Sequence, residues 1–428
     1  MSGVNPEHET SYRALLALPW LPRILAAMII ARIAQSMVSI AIVLFTLVVY
    51  RSPALTGIVT LAATLPGILV SPIAGALLDR HGRMRLVRLD YVVALVALAL
   101  IAILSLLDAL PAWLLVLITA VSSLTAILSQ TGLRSLFPII VPEHLWERVN
   151  AVDSNGYVIA TIFGPPLAAG LVAIFGGPLA LMGTAVAFGL AALAMLGIPD
   201  PPTAVDSTGR LLRDALDGLR YAWRNQTIRG LAFSISSLNL AGGITTIAVP
   251  LIVLDRLGYS EIFVGVVFAL SGLAGMASAL IFGRMDTRDR EWPLLVYPMV
   301  VFAPALLLLL PPALIDGIDP LVGLLFLAAW ATIAGLANGP LDIALFTIRQ
   351  RRTDPAWTGR AFAVSMAMNF LGFPIGAAIG GALADRSLGL AILPGIVAAV
   401  VAVAFAATMI PRADPNPGSG TQVNLATD

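Results

Sequence analysis

The chain contains no cysteine, and all 25 of its basic residues are arginine, so lysine is absent as well. Without cysteine there are no disulfides, no thiol nucleophiles and no thiolate metal sites. Without lysine there is no phosphate-loop lysine, no Schiff base to pyridoxal or retinal and no catalytic amine, so ATP-driven mechanisms and enzymes of those types are not expected. Histidine is scarce: His8, His81 and His144 are scattered and form no metal constellation, so no metal or cofactor is expected. Charged residues amount to 11% and aromatics to 7%, and the net charge is +1. No nucleic-acid partner is expected.

Apolar surface is what the chain has in abundance. Hydrophobic residues make up 59% and the mean hydropathy is +0.94, more than a water-facing globular surface carries, so the solvent is read as the bilayer. A spanning helix needs roughly 20 apolar residues, because every backbone polar group must be satisfied within the segment. Such stretches fall at about 24 to 50, 54 to 78, 86 to 107, 112 to 136, 149 to 175 and 178 to 198. Six more follow at about 228 to 254, 261 to 283, 292 to 315, 320 to 347, 357 to 384 and 388 to 411. The first lacks a small-residue cleavage site and is too long for a secretory signal, so it is expected to stay attached.

Arginine placement orients these spans. Arg51, Arg256 and Arg386 fall on one side and Arg32 inside; all the others share the opposite side, which the positive-inside rule makes cytoplasmic. Both termini, the loop at 79 to 88 and the segment 199 to 227 are therefore expected in the cytosol. The linker from Arg210 to Arg224 has Leu211, Leu212, Ala215, Leu216, Leu219 and Trp223 at helical spacing, with Arg213, Asp217, Arg220 and Arg224 on the other face. It reads as an amphipathic interfacial helix.

The halves flanking the linker look alike. Sliding Glu147 and Arg148 onto Gly359 and Arg360 also brings Gln130 onto Asp342, Gly164 onto Gly376, and Ala168 and Ala169 onto Gly380 and Gly381. The predicted fold is an all-α membrane protein of twelve spans in two pseudo-symmetric six-helix bundles. The expected boundaries are 1–200 and 228–411 for the bundles, 201–227 for the linker and 412–428 for a cytoplasmic tail.

Between spans 2 and 3 the chain reads Gly75, Asp79, Arg80, Gly82 and Arg83. Gly75 permits close helix approach, Gly82 a tight turn, and Asp79 accepts charge-assisted hydrogen bonds. Spacing and location resemble the signature loop of the major facilitator superfamily, and that resemblance implies a transporter fold. It also implies a latch in which Asp79 faces the start of span 11 near Thr358 to Arg360; a carboxylate at a helix N-terminus is favourable by about 0.3 to 2 kcal/mol. The runs Phe137 to Glu143, Glu147 to Ala151, Asp217 to Tyr221 and Gly380 to Arg386 resemble a drug and siderophore exporter branch that includes enterobactin exporters and macrolide efflux pumps. Gly164 and Pro165 resemble the span-5 antiporter motif, with Ala168 and Ala169 where paired glycines are usual; tight packing of span 5 on span 8 accounts for them equally. Residues Trp113 to Leu124 lack the arginine many drug and proton antiporters carry there, and the only arginine of that helix is Arg134 at its cytoplasmic end.

Charges inside the bilayer are costly and are functional candidates by default. Arg32 and Asp342 lie roughly 9 to 12 Å from the cytoplasmic ends of spans 1 and 10, at about 1.5 Å per residue. They are expected either to pair across the bundles or to bind substrate and proton in turn; the structural alternative gives Arg32 backbone carbonyls or Gln35, and Asp342 Arg349 or Asn338. Asp90 and Asp153 sit near the cytoplasmic starts of spans 3 and 5 and are read as anchors that can meet Arg80, Arg85 or Arg134. Gln35, Ser39, Gln130, Asn239 and Asn338 are further pathway candidates. The expectation is a non-enzymatic, monomeric secondary transporter of a bacterial inner membrane. It exports small amphipathic compounds by alternating access in exchange for protons. A metabolite importer of the same fold and a non-transporting scaffold or sensor are the alternatives.

Overall fold

The computed structural model describes residues 11–200, 211–285, 287–353 and 358–413, with residues 72, 75, 76, 79, 211–216 and 358–363 described in their backbone alone. The described residues contain no strand, and twelve helical segments are long and apolar enough to cross a bilayer. Spans 1 to 6 are Leu21–Tyr50, Pro53–Ser71, Arg83–Leu106, Ala112–Ile140, Glu143–Phe175 and Gly177–Ala194. Spans 7 to 12 are Gln226–Arg256, Glu261–Phe282, Glu291–Leu314, Pro320–Arg351, Val364–Ala384 and Leu388–Met409. Helix Leu211–Arg224 precedes span 7, whose first turn is capped by the Asn225 side chain, 3.1 Å from the Ile228 amide.

Three predicted stretches are not continuous helices. Span 2 stops at Ala62 and restarts as Leu65–His81, where Pro66, lacking an amide hydrogen, suits a first turn. Span 9 passes through a tighter turn at Leu306–Leu309; Pro304, Pro311 and Pro312 remove the amides that would continue the regular ladder. Span 11 is interrupted at Leu371, between helices Thr358–Phe370 and Gly372–Ala384.

The chain forms two compact units. The first holds spans 1, 3, 4, 5 and 6, span 2 from Ala62 onward, and the segment Glu261–Ala269. Within it, span 1 packs on spans 5 and 6, and span 3 on spans 4 and 6. The second holds Ser52–Leu61, span 7, the rest of span 8 and spans 9 to 12, with span 7 packed on spans 11 and 12 and span 9 on span 10. Glycine lets these two short segments approach their neighbours closely. In the first unit a Cβ on Gly265 would lie 2.8 Å from Ala169 Cβ and 2.9 Å from Pro166 Cα. In the second, a Cβ on Gly57 would lie 2.5 Å from the Ala377 carbonyl oxygen. Lipid offers no hydrophobic drive between helices, so close backbone approach over small residues is what binds them.

Candidate functional site

In the first unit, Asp153, Gly156, Tyr157, Ala160 and Gly164 form one stripe of span 5, three or four residues apart. That stripe faces span 1. Arg32 enters it: Nη2 is 2.5 Å from Asp153 Oδ1, Nη1 donates to the Asp153 backbone carbonyl, and the guanidinium lies 3.7 Å from the centroid of the Tyr157 ring. A Cβ on Gly156 would stand 2.9 Å from Arg32 Nη1, so only glycine leaves that arginine its seat. Arg134 of span 4 adds a second cation, with Nε 3.3 Å from Asp153 Oδ2 and its guanidinium 4.7 Å from the Tyr157 ring. The side chains of Arg32 and Asp153 are 10% and 7% exposed, whereas Arg134 is 51% exposed. Arg32 is thus clamped by carboxylate, carbonyl and ring, and Arg134 is the loosely held member.

Arg32 and Tyr157 of this cluster line a recess of about 170 Å³, together with Gln35, Ser36, Tyr91 and Gln130. Gln35 also borders a smaller recess of about 50 Å³ with Asp90, Thr119, Ser122 and Ser123. Five of the sequence candidates or their neighbours therefore converge within one unit: Arg32, Gln35, Gln130, Asp153 and Asp90. Ser39 is exposed and its hydroxyl donates to the Ser36 carbonyl at 2.7 Å.

The partner of Arg32 is Asp153, not Asp342. Span 5 lies against span 1 and supplies a carboxylate at bonding distance, which satisfies the buried cation inside its own unit. Asp342 and Asn338 are exposed on span 10 and make no ion pair or hydrogen bond among the described residues. Arg349 does not pair with Asp342. It is 1% exposed, with Nη1 2.9 Å from Met366 Sδ, and Nη2 2.5 Å from the side-chain oxygen of Asn369 in the amide orientation that satisfies both groups. The shift that carries Glu147 onto Gly359 also carries Asp153 and Tyr157 onto Ser365 and Asn369. In the second unit the described partners of Arg349, Met366 and Asn369, lie on the corresponding turn of span 11. Asn239 donates to the Asn369 carbonyl at 2.9 Å, tying span 7 to that turn.

Gly164 is buried under span 1: a Cβ there would lie 2.5 Å from Ser36 Cβ. Gly376 stands likewise under span 7, its Cβ blocked by the Leu240 carbonyl oxygen. The Pro165 carbonyl oxygen would lie 3.3 Å from a Cβ on Gly265 of span 8. Span 5 thus uses its small residues against span 1 as well as span 8.

In the signature loop, Gly82 has φ +91° and a Cβ on it would lie 2.7 Å from Asp200 Oδ2. Asp200 takes that space: Oδ1 accepts from the Met84 amide at 2.5 Å and Oδ2 from the Arg85 amide at 3.3 Å. A residue distant in sequence caps span 3, which has no side-chain cap of its own. The signal for it in the sequence is a lone carboxylate between Pro199 and Pro201 at the end of span 6. Arg83 donates through Nε to Ser135 Oγ at 3.1 Å, and Arg80 is exposed. The side chains of Gly75 and Asp79, and those of Thr358 to Arg360, lie outside the described residues, as does His8, so the latch falls outside them too.

Twelve bilayer-length helices in two units, each with a cation buried among its helices, define a polytopic α-helical membrane protein of the transporter class. A family model described as Major Facilitator Superfamily matches residues 24–327 and 231–426. The chain is 34% identical over 402 residues, 93% of its length and 97% of the relative's, to an uncharacterized MFS-type transporter, y4rN, of Sinorhizobium fredii. It is 25% identical over 344 residues to the multidrug efflux pump Tap of Mycolicibacterium fortuitum, covering 77% of this chain and 80% of that one. A crystal structure of the nucleoside transporter NupG superposes with a TM-score of 0.72 at 12% identity, covering 91% of this chain and 99% of that one. The protein belongs to the major facilitator superfamily. It is a transporter and not an enzyme.

Proposed function

We propose that the protein exports small amphipathic compounds from the cytosol by alternating access, driven by inward movement of protons, in a bacterial inner membrane with both termini cytoplasmic. The bundles 1–200 and 228–411, joined by 201–227, are the moving parts, and a single chain suffices. The observation that carries this reading is the recess in the first unit, where Arg32, held by Asp153, meets Gln35, Tyr91 and Gln130 among largely apolar walls. A few fixed polar groups in an apolar surround suit a partly apolar ligand with one polar end. Similarity to Tap, named a multidrug efflux pump, supports the direction.

Asp153 fits a structural and gating task within this cycle: it holds Arg32 and Arg134 on one ring and so sets the shape of the recess wall. Asp342 and Asn338, exposed on span 10 and uncommitted among the described residues, suit contact with the transported compound. The test expresses the protein in cells stripped of efflux pumps and follows accumulation of ethidium, a macrolide and a siderophore, with and without a protonophore. Lower accumulation that the protonophore abolishes is the expected result. Accumulation raised by the protein, or unaffected by the protonophore, overturns export or proton drive respectively, and raised uptake favours a metabolite importer.

A further inference from the structure

Asp90 is a buried carboxylate that nothing above uses. It lies about two turns inside span 3, which begins at Arg83, and the residue is 3% exposed. Its hydrogen-bond partner is a hydroxyl of span 4: Thr125 Oγ1 donates to Oδ1 at 2.9 Å. The described cations nearby have other tasks. Arg32 and Arg134 hold Asp153, Arg83 bonds Ser135, and Arg88 donates to the Met84 carbonyl at 3.3 Å. On span 2, Arg80 and His81 are exposed, the His81 ring lying 3.2 Å from the Leu77 carbonyl, and Arg85 is exposed on span 3. Span 6 faces the site with Phe188 and carries no ionisable side chain, so the remaining titratable neighbours are Tyr91 and, across the larger recess, Tyr157.

A hydroxyl differs from a guanidinium in one decisive way: it donates to a carboxylate and accepts from a carboxylic acid equally well. Thr125 has the second arrangement ready, because its Oγ1 also lies 3.1 Å from the Ser122 carbonyl. When Asp90 gains a proton, its own O–H can donate to Thr125 Oγ1 while the threonine proton turns to Ser122. No counter-ion is stranded. Protonating Asp153, by contrast, would leave two guanidinium groups facing each other across Tyr157. Asp90 also borders the small recess whose other rim is Gln35, and Gln35 opens onto the larger recess beside Arg32, giving the proton a polar route.

We propose that Asp90 carries the proton exchanged for substrate. The inference rests on the proton-driven export proposed above. A proton reaching Asp90 from the outer face converts carboxylate to acid, and its release to the cytosol restores the carboxylate, so one proton crosses per cycle of this group.

Two measurements on purified full-length protein test it. In the first, infrared spectra over a pH series follow the carboxylic-acid carbonyl stretch, which needs no substrate. A titrating band present in the wild type and in Asp342→Asn but missing from Asp90→Asn is expected; its persistence in Asp90→Asn overturns the proposal. In the second, ethidium movement is measured in proteoliposomes. Asp90→Asn is expected to lower gradient-driven uptake about tenfold or more, while exchange without a gradient stays within about threefold. Equal loss of both overturns the proposal in favour of a structural role, and loss of neither overturns it outright. A wild type that moves ethidium but ignores the gradient overturns the exchange reading itself. Should Asp90→Asn fail to fold, Thr125→Val keeps the carboxylate but removes the hydroxyl that donates to it. Unaltered gradient-driven uptake and an unaltered carbonyl band in that variant also overturn the proposal.

Discussion

Replacing Asp153 by asparagine keeps the shape of the side chain and removes the only carboxylate found against Arg32 and Arg134 among the described residues. Breaking a buried pair by deleting one partner costs about 3 to 5 kcal/mol, because a desolvated charge is left behind. Here the residue of that charge is not bare. Arg32 keeps the Asp153 backbone carbonyl and the Tyr157 ring at 3.7 Å, a cation–ring contact worth about 2 kcal/mol when desolvated. The expected loss is therefore about 2 to 3 kcal/mol. Arg32→Met is expected to cost a similar amount, since Asp153 is left with a half-exposed Arg134 at 3.3 Å. Arg134→Met should cost about 1 kcal/mol or less, as exposed pairs do. With Arg32→Met and Asp153→Asn together no buried charge is left unbalanced, so the double variant should be no less stable than either single one. That is a coupling of about 2 kcal/mol. The assay is the unfolding midpoint of detergent-purified protein for the four variants and wild type. Additive penalties, or an Arg134→Met protein as weak as Asp153→Asn, would refute the clamp as described.

Asp200→Ala should uncap span 3 at a cost of about 0.5 to 2 kcal/mol, seen as faster hydrogen exchange at the Met84 and Arg85 amides, while exchange in span 6 is unchanged. Gly164→Ala should destabilise the first unit because its new methyl meets Ser36, and Ser36→Gly should recover part of that loss, read as midpoint and yield. Gly376→Ala meets the Leu240 backbone instead, so no side-chain substitution at that position should rescue it. Gly156→Val should displace Arg32 from its seat and reduce ethidium export as strongly as Arg32→Met, with Arg134→Met nearer to wild type. Export unaffected by Gly156→Val would separate the clamp from transport.

How much was legible before any coordinates can be judged from single residues. Arg32 was marked as costly and therefore meaningful from its depth in an apolar run, and that much needed only hydropathy and helix rise. Its partners were left open between Asp342, backbone carbonyls and Gln35, and the Asp153 carbonyl it meets is one of the backbone carbonyls. The Asp153 carboxylate beside it has a signal in the spacing Asp153, Gly156, Tyr157: a carboxylate, a gap and a ring on one helical face make a seat for a guanidinium. Asp90, like Asp153, reads from sequence as an anchor near a helix start. Its hydroxyl partner sits on another span, where no local pattern shows it.

Composition and the lengths of apolar runs were by themselves sufficient for the class and the number of crossings. The physical reason is that a bilayer penalises every unpaired backbone group, which leaves one element type of one length. Contacts between spans were decided only in three dimensions. The seat of Arg32 on span 5 and the capping of span 3 by Asp200 depend on groups from distant stretches meeting at 2.5 to 3.3 Å, and the close approaches at Gly57 and Gly265 depend on the absence of a Cβ. In an apolar solvent such meetings are selected by close fit and by the need to satisfy each buried charge, and both are properties of neighbours in space.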